Sequence, residues 1–289
     1  MTPIPPSELI LNDDGSIFHL HLLPHEIADT IILVGDPGRV AAVSAHFSKV
    51  EVKKSNREFV THTGTYKGTR LTALSTGIGT DNIDIVVNEL DALANIDLKT
   101  RTPRQTHRAL RLVRLGTSGS LQPDLALGTL VSSHVSIGFD GLLNFYAGRN
   151  EASLLDYEAA FIAHTAWNEL WAKPYFVENS RELINLFADA TCEGMTISAH
   201  GFYGPQGRVL RLPLADMQLN EKIESFRFRD KRITNFEMEG SAIAGLAKLL
   251  GHKALTVCAI IANRAILDMN VDYKKVVNEM IEMALDKLK

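Results

Sequence analysis

Apolar residues recur along the chain with two spacings, one typical of buried strands and one typical of helices. Short apolar runs predict strands at 30–35, 110–116, 128–137, 195–203 and 252–261, and two more within 58–76 around a turn at Lys67 and Gly68. Helical spacing predicts helices at 39–47, 81–96, 152–172, 180–190 and 271–288, and one that starts in NFEMEG (235–240) and ends at Gly251. This alternation predicts an α/β protein whose mixed or mostly parallel sheet is covered by helices.

A chain of 289 residues of which 45% are hydrophobic can bury one large core, so we expect residues 1–289 to form a single domain. The Pro-rich start predicts a loose arm at 1–16. One segment, 97–111, differs in composition because its charged side chains are mostly basic, namely Lys99, Arg101, Arg104, Arg108 and Arg111. No aromatic residue is interleaved with them, so this pattern favours a solvated loop and helix face over a nucleic-acid patch.

The overall charge narrows the function classes further. A net charge of −4 and a pI near 6.2 argue against a broad nucleic-acid or membrane-surface role. Cys192 and Cys258 are far apart and lack the spacing of a disulfide framework or a metal knuckle. The N-terminal sequence lacks the features of a signal peptide, and no apolar run reaches membrane-spanning length, so we expect a cytoplasmic protein.

Several strands end in glycine-rich turns, in GDPGR (35–39), STGIG (75–79) and LGTSGS (115–120). The carboxyl ends of strands are where ligands bind in open α/β sheets, and glycine lets backbone N–H groups approach an anion. Arg39, Arg57 and Arg114 lie in or near such turns, and each alone would be an ordinary surface residue. Three guanidinium groups in one pocket would need an anion, and the glycine pattern matches neither a dinucleotide nor a triphosphate site. We therefore expect an orthophosphate site.

The motif NFEMEG places Met238 between Glu237 and Glu239. Carboxylates in the first turn of a helix complement its dipole, and this explains both acids without any function. It does not explain the methionine.

Several motifs follow one another along the chain, namely FHL, GDPGR, SNREF, STGIG, RLGTSGSLQP, GFYGPQGR, NFEMEG and the NR of IIANR. With these motifs in this order, the chain resembles the nucleoside phosphorylase family, and within it the uridine phosphorylases. The resemblance runs from about Phe18 to the C-terminal helix. It implies the nucleoside phosphorylase fold, a single α/β domain with a central, mixed and partly closed sheet flanked by helices. It also implies the phosphorolysis of uridine to uracil and ribose 1-phosphate.

The resemblance further implies a role for individual residues. The phosphate contacts would be Gly35, Arg39, Arg57, Arg114 and Thr117. The nucleoside contacts would be Glu237, Met238 and Glu239 at the ribose, Phe202, Gln206, Arg208 and Arg264 at the base, and His19 at the 5′-hydroxyl of a nucleoside in the adjacent subunit. The residues expected to contribute most to catalysis are Arg114, Thr117, Gln206, Arg208 and Glu239.

If His19 has this role, the smallest active unit is a homodimer, and a hexamer is a natural larger assembly. Orthophosphate would be a co-substrate, and we expect no cofactor and no metal. Many relatives bind a monovalent cation between subunits through a serine after STGIG. Here Thr80, Asp81 and Asn82 follow instead, which leaves Glu58 as one available ligand and the cation doubtful.

Three alternatives remain. A purine nucleoside phosphorylase typically protonates the purine N7 with an Asp after the last apolar strand, where this chain has Ala262, Asn263 and Arg264, and we expect no carboxylate there. A nucleosidase uses water and needs no phosphate arginines. A non-catalytic nucleoside or anion sensor would be expected to lack one of the phosphate, ribose or base sets.

Overall fold

The computed structural model describes residues 2–269 and 272–289. Its strands are β1 Thr30–Val34, β2 Lys49–Asn56, β3 Phe59–Tyr66, β4 Thr69–Ser75, β5 Ile96–Asp97, β6 Thr102–Pro103, β7 Arg111–Ser120, β8 Leu130–Gly138, β9 Tyr175–Glu178, β10 Cys192–Ser198, β11 Arg227–Phe228, β12 Lys231–Glu237, β13 Lys253–Asn263 and β14 Asp268–Met269. Its α-helices are α1 Pro37–Ser44, α2 Thr80–Asn95, α3 Arg149–Ala152, α4 Leu155–Thr165, α5 Arg181–Phe187, α6 Leu219–Ser225, α7 Gly240–Leu249 and α8 Lys274–Leu288. Short 3₁₀ turns occur at Pro24–Glu26, Leu142–Phe145 and Gly204–Gln206.

One large sheet organises the chain, in the order β11-β12-β10-β8-β13-β7-β1-β4-β3-β2. Its central pairs β4–β1–β7–β13 and β8–β10–β12 are parallel, whereas β13 pairs antiparallel with β8. Antiparallel pairing of β12 with β7 closes β7, β13, β8, β10 and β12 into a ring. The prediction of a single α/β domain with a mixed, partly closed sheet is therefore confirmed.

Helices cover both faces of the sheet because successive strand residues point to opposite sides. In β1, Ile31 and Leu33 pack into the core under α2 and α7, while Ile32 and Val34 pack under α1, α5 and α8. All four are fully buried, as expected for a parallel strand covered on both faces. This double cover leaves the strand ends as the place where side chains can meet a ligand.

The helix predicted to start in NFEMEG is observed, but it begins only at the last residue of the motif, Gly240, so the two carboxylates are not in its first turn. Residues 235–237 are the end of β12, which pairs with β10 on one side and with β7 on the other, and α7 begins only at Gly240. Sheet pairing on two sides outweighs the local helical preference, so Glu237 ends a strand and Glu239 is the N-cap of the helix.

Other boundaries differ because short elements carry weak patterns. The helix predicted at 152–172 is divided and ends at Thr165, where Ala166 adopts a left-handed conformation with φ 49°. The prediction missed β2, a lysine-rich strand at the edge of the sheet, together with the short β9 and β11. The predicted helix 271–288 is observed from Lys274, and its first residue, 271, lies outside the described residues.

The predicted loose arm is held in place over its described part, residues 2–16. The guanidinium of Arg101 donates to the carbonyls of Ile4, Pro5 and Leu9, and Leu9 is only 6% exposed. The basic segment 97–111 thus anchors the arm instead of forming a purely solvated face, because the carbonyl groups of the arm give Arg101 hydrogen-bond acceptors.

In the part of the chain that the structure describes, every helix is too short or too polar to cross a lipid bilayer.

Candidate functional site

The carboxyl ends of β1, β4, β7, β12 and β13 meet around one pocket of about 1100 Å³. Most of the predicted site residues line it, namely Gly35, Arg39, Arg114, Thr117, Phe202, Gln206, Arg208, Glu237, Met238, Glu239 and Arg264. They come from distant parts of the sequence and are brought together by the strand order. The pocket has an anion end near β1 and β7 and a second end near β13 and the 3₁₀ turn Gly204–Gln206.

Arg114 dominates the anion end. It lies on β7 with its side chain across Gly116, where a Cβ atom would come within 2.8 Å of Arg114 Cζ. Residues two apart on a strand share a face, so a glycine at 116 gives the arginine its path. Its guanidinium contacts Glu237 at 3.2 Å and donates to Glu239. Burial disfavours the charge of Arg114, but the two carboxylates raise its pKa above the ordinary value, so the residue is positively charged.

Arg39 adds a second positive charge to this end, on the first turn of α1. It donates to the carbonyl of Leu115 at 3.2 Å, and within residues 2–269 and 272–289 no carboxylate lies within ion-pair distance of it. Burial, and after it the charge of Arg114, lowers the pKa of Arg39. Two guanidinium groups share this end with Gly35 and the start of α1, so an anion bound there would relieve their repulsion.

Glu239 is fixed at the N-terminus of α7, where it is 3% exposed. One carboxylate oxygen accepts from the backbone N–H of Gly79 at 2.8 Å, and the other accepts from Arg114. Gly79 has φ 100°, a conformation that favours glycine. Burial raises the pKa of Glu239, and Arg114 opposes that rise. A carboxylate can accept about four hydrogen bonds, so acceptor capacity remains for sugar hydroxyls.

Glu237 has a different role from the predicted one. Its carboxylate accepts from the backbone N–H groups of Glu239 and Gly240 at 2.8–2.9 Å and from the hydroxyl of Ser198, and it lies 3.2 Å from Arg114. These donors occupy the acceptor positions of both oxygens. Glu237 therefore stabilises the turn into α7 and the orientation of Arg114, and it has no free acceptor for a ribose hydroxyl.

The second end of the pocket is built on the loop after β10. Arg208 lies over the ring of Phe202, 3.8 Å from its centroid, and donates to Gln206 Oε1 at 2.5 Å. Arg264, which follows β13, donates to the backbone carbonyls of Gln206 and Gly207. Phe202 is 50% exposed, so it is not a core residue.

Among residues 2–269 and 272–289, no carboxylate lies within ion-pair distance of Arg208 or Arg264. Burial, and then the charge of Arg208, lowers the pKa of Arg264 to about 10, and burial lowers the pKa of Arg208. A group that gains negative charge between these residues would therefore be stabilised.

Two predicted residues, His19 and Arg57, do not line the pocket. Arg57 is exposed in the tight turn between β2 and β3, so the expected meeting of three arginines does not occur within one chain. His19 contacts Glu89 at 2.6 Å, and Asn56, next to Arg57, donates to the His19 carbonyl at 2.8 Å. The two residues thus lie close to each other, outside the lining of the pocket of their own chain.

The pocket lining also contains three carboxylates that were not among the predicted site residues, Asp36, Glu224 and Asp268. Asp268 enters because β14 folds back on β13, where it lies opposite Asn263. The side-chain amide of Asn263 donates to the carbonyls of Gln122 and Leu125, and its oxygen accepts from the N–H of Ala265. No pattern in the sequence indicates Asp268 or Glu224, because the β13–β14 hairpin was not predicted.

Away from the pocket, Asp91, His107 and His252 have ligand atoms within 4.8 Å of one another. Nδ1 of His252 accepts from the N–H of Leu110 at 3.1 Å, so in the neutral ring the proton is on Nε2, which lies 3.1 Å from Asp91. His252 then offers no lone pair to an ion in this group.

Comparisons with known proteins agree with this geometry. The family model of the phosphorylase superfamily matches residues 29–287. A curated uridine phosphorylase of Thermococcus kodakarensis is 28% identical over 258 residues, which cover 87% of this chain and 79% of that protein. A DeoD-type purine nucleoside phosphorylase of Listeria welshimeri is 25% identical over 245 residues, 84% of this chain and 85% of that protein.

Among solved structures, a Trypanosoma brucei nucleoside phosphorylase described as showing uridine phosphorylase activity superimposes with a TM-score of 0.88 at 30% identity. The match covers 97% of this chain and 99% of that one. These relatives support a nucleoside phosphorylase enzyme, and the nucleoside that it cleaves requires a separate argument.

Proposed function

The chain belongs to the phosphorylase superfamily, and on that premise we propose that it cleaves uridine with orthophosphate to give uracil and ribose 1-phosphate. One observation carries the proposal. A single pocket of about 1100 Å³ has Arg39 and Arg114 at its anion end and polar residues around Gln206 at its second end. Between them lies the carboxylate of Glu239, which can still accept further hydrogen bonds. The relatives that are named uridine phosphorylases support the choice of nucleoside.

At the anion end, Arg39 and Arg114 would hold the phosphate, and Thr117 and the Gly35 turn would add hydrogen-bond donors. A phosphate oxygen forms a bond to C1′ while the C1′–N1 bond breaks and its electron pair leaves with the base. The reaction needs no nucleophile from the protein, because phosphate supplies it. The contribution of the protein is orientation and charge stabilisation.

Glu239 would accept hydrogen bonds from the ribose hydroxyls, with Met238 against the apolar face of the sugar. The leaving uracil gains negative charge on its ring and carbonyl oxygens. Arg208 and Arg264 would stabilise that charge, and the Gln206 amide would pair with the imide edge of the base. A proton from solvent then completes the released uracil.

His19 and Arg57 can take part only if a second copy of the chain supplies them, because both lie outside the pocket of their own chain. We therefore propose a homodimer as the smallest active unit, with a hexamer as a possible larger assembly. Asn56 precedes Arg57 and donates to the carbonyl of His19, so the two residues lie close together. This proximity supports the proposal that both contribute to the same site of a neighbouring subunit.

One specific observation favours purine nucleosides as a second candidate, namely the carboxylate of Asp268 in the pocket lining. An acid near the base can protonate the purine N7, a task that the fully bonded Asn263 amide cannot perform. A DeoD-type relative points the same way.

The deciding experiment measures cleavage of uridine and inosine with and without phosphate, and identifies ribose 1-phosphate. Uridine cleavage that requires phosphate supports the proposal. Preference for inosine supports the purine phosphorylase, free ribose without phosphate indicates a nucleosidase, and binding without cleavage indicates a sensor.

A further inference from the structure

Glu89, on α2, holds His19 through both its backbone and its ring. One oxygen of the Glu89 carboxylate lies 2.6 Å from His19 Nδ1 and 3.0 Å from the His19 N–H, and the other accepts from the N–H of Leu20 at 2.8 Å. The Glu89 side chain is 13% exposed and that of His19 is 25% exposed. The acid is therefore shielded from water while part of the imidazole remains accessible.

This contact determines the chemistry of the ring. An ionised carboxylate only accepts hydrogen bonds, so Nδ1 of His19 must carry a proton where it meets Glu89. In the neutral imidazole the lone pair is then on Nε2. His19 thus has its lone pair on the ring nitrogen that Glu89 does not contact, and a lone pair is the partner that a hydroxyl donor requires.

The neighbouring contacts keep the segment in place. Asn12 donates to the carbonyls of Ile17 and Phe18, and Asn56 donates to the carbonyl of His19. The side chain of His19 is therefore presented from a backbone that is fixed on both sides.

Helix α2 links this surface with the pocket of the same chain. Its N-cap, Gly79, donates to Glu239, and Glu89 lies ten residues further along, which in an α-helix is about 15 Å. The same rigid helix thus supports the sugar carboxylate at one end and His19 near the other.

We infer that Glu89 is a positioning residue that holds His19 in the Nδ1–H tautomer, so that Nε2 accepts a hydrogen bond from the 5′-hydroxyl of a nucleoside bound in the neighbouring subunit. This inference rests on the proposed function. Glu89 does not touch the substrate, and its effect passes entirely through His19.

The test compares uridine with 5′-deoxyuridine, which lacks only the hydroxyl in question. In the wild type, kcat/KM should favour uridine by roughly threefold to tenfold, the value of one hydrogen bond. In Glu89→Leu no side-chain oxygen accepts from Nδ1, the tautomer is no longer fixed, and the preference should fall to about one, whereas Glu89→Gln keeps one acceptor oxygen and should keep part of the preference. His19→Ala should have the same preference as Glu89→Leu, and the double variant should not lower it further.

Asp84→Asn is the matched control, because Asp84 lies on the same helix and bonds to Tyr146 and Asn88 but not to His19. It should keep the wild-type preference for uridine. A Glu89→Leu enzyme that loses equal activity on both substrates would show a purely structural role and overturn the inference. A wild type that does not cleave uridine would refute the proposed function as well, so the two failures are distinguishable.

Discussion

The guanidinium of Arg114 donates a hydrogen bond to the carboxylate of Glu239, although 125 residues separate them in the sequence. Arg114 faces the proposed phosphate and Glu239 the proposed ribose, so the two halves of the site share one ion pair. The pair is buried, and removal of one partner from such a pair costs about 3–5 kcal/mol because the other charge is left uncompensated. Changes at the phosphate end should therefore also affect the sugar end and the stability of the fold.

Replacement of Arg114 by Ala should raise the phosphate concentration needed for activity and depress turnover, at a cost of about 2–4 kcal/mol in transition-state stabilisation. It should also lower thermal stability, since Glu237 and Glu239 lose their counter-charge. Arg39→Ala is the comparison, because Arg39 has no such carboxylate partner among the described residues and should change phosphate dependence with little loss of stability. Phosphate saturation curves and melting temperatures measure both effects. Unchanged phosphate dependence in folded Arg114→Ala would exclude this site.

Gly116→Ala should displace Arg114 without removing its charge, because the new methyl group would occupy the path of the guanidinium. A shift of about 1 Å in a catalytic group can cost on the order of a hundredfold in rate, so kcat/KM for phosphate should fall tenfold or more. Gly204→Ala is the control, since a Cβ there meets nothing within 4 Å. Equal phosphate kinetics in both variants would contradict the role of Gly116.

The acid side of the pH profile should report Glu239. Burial raises the pKa of this carboxyl, so it takes up a proton at a higher pH than an ordinary glutamic acid. The protonated form is a poorer acceptor for ribose hydroxyls, and kcat/KM for uridine should fall as the pH decreases through the raised pKa. Glu239→Gln should lose most activity at every pH and with it this acid limb. A fully active Glu239→Gln enzyme would contradict the proposal that Glu239 accepts hydrogen bonds from the ribose hydroxyls.

Subunit complementation tests the shared site. One chain carries His19→Ala and Arg57→Ala, and the other carries Arg114→Ala. In a mixed dimer one of the two sites has all three residues, and random exchange makes about half of the dimers mixed, so about a quarter of wild-type activity should return. If activity does not return after verified subunit exchange, the partner subunit does not supply His19 and Arg57 to the site.

Base selection should depend on Gln206 and Arg208. A pocket whose polar groups pair with the uracil imide rejects a base that leaves these polar groups unpaired, so uridine should be cleaved far better than inosine. Gln206→Ala should lower uridine cleavage by about tenfold or more. Asp268→Asn separates the candidates, because it should leave uridine cleavage intact and abolish any inosine cleavage that depends on an acid. Inosine cleaved as well as uridine by the wild type would show that the base is wrongly assigned.

The sequence by itself determined the parts of this protein that depend on local periodicity and on glycine. The apolar run in β1 is fully buried, as expected for a strand covered on both faces. The strands around Lys67 and Gly68 also form where predicted. The turns at Gly35 and Gly79 could be located because they interrupt these runs. The turn predicted in LGTSGS (115–120) is wrong, because these residues pair with β13 and continue β7 to Ser120. Most of the site residues that the motifs predicted do line the pocket.

Only the tertiary structure decided which of these residues face a ligand. Glu237 and Glu239 are equivalent in the sequence, but pairing of β12 on two sides turns Glu237 into the α7 backbone and leaves Glu239 at the pocket. Arg57 looks like a third pocket arginine, yet the β2–β3 turn carries it to another surface. The roles of Glu89 and Asp268 could not be predicted, because they arise from contacts that no local pattern encodes. Glu89 contacts His19, and Asp268 lies opposite Asn263 across the β13–β14 hairpin. Local preferences act over a few residues, whereas the direction of a side chain at a strand end depends on every strand paired beside it.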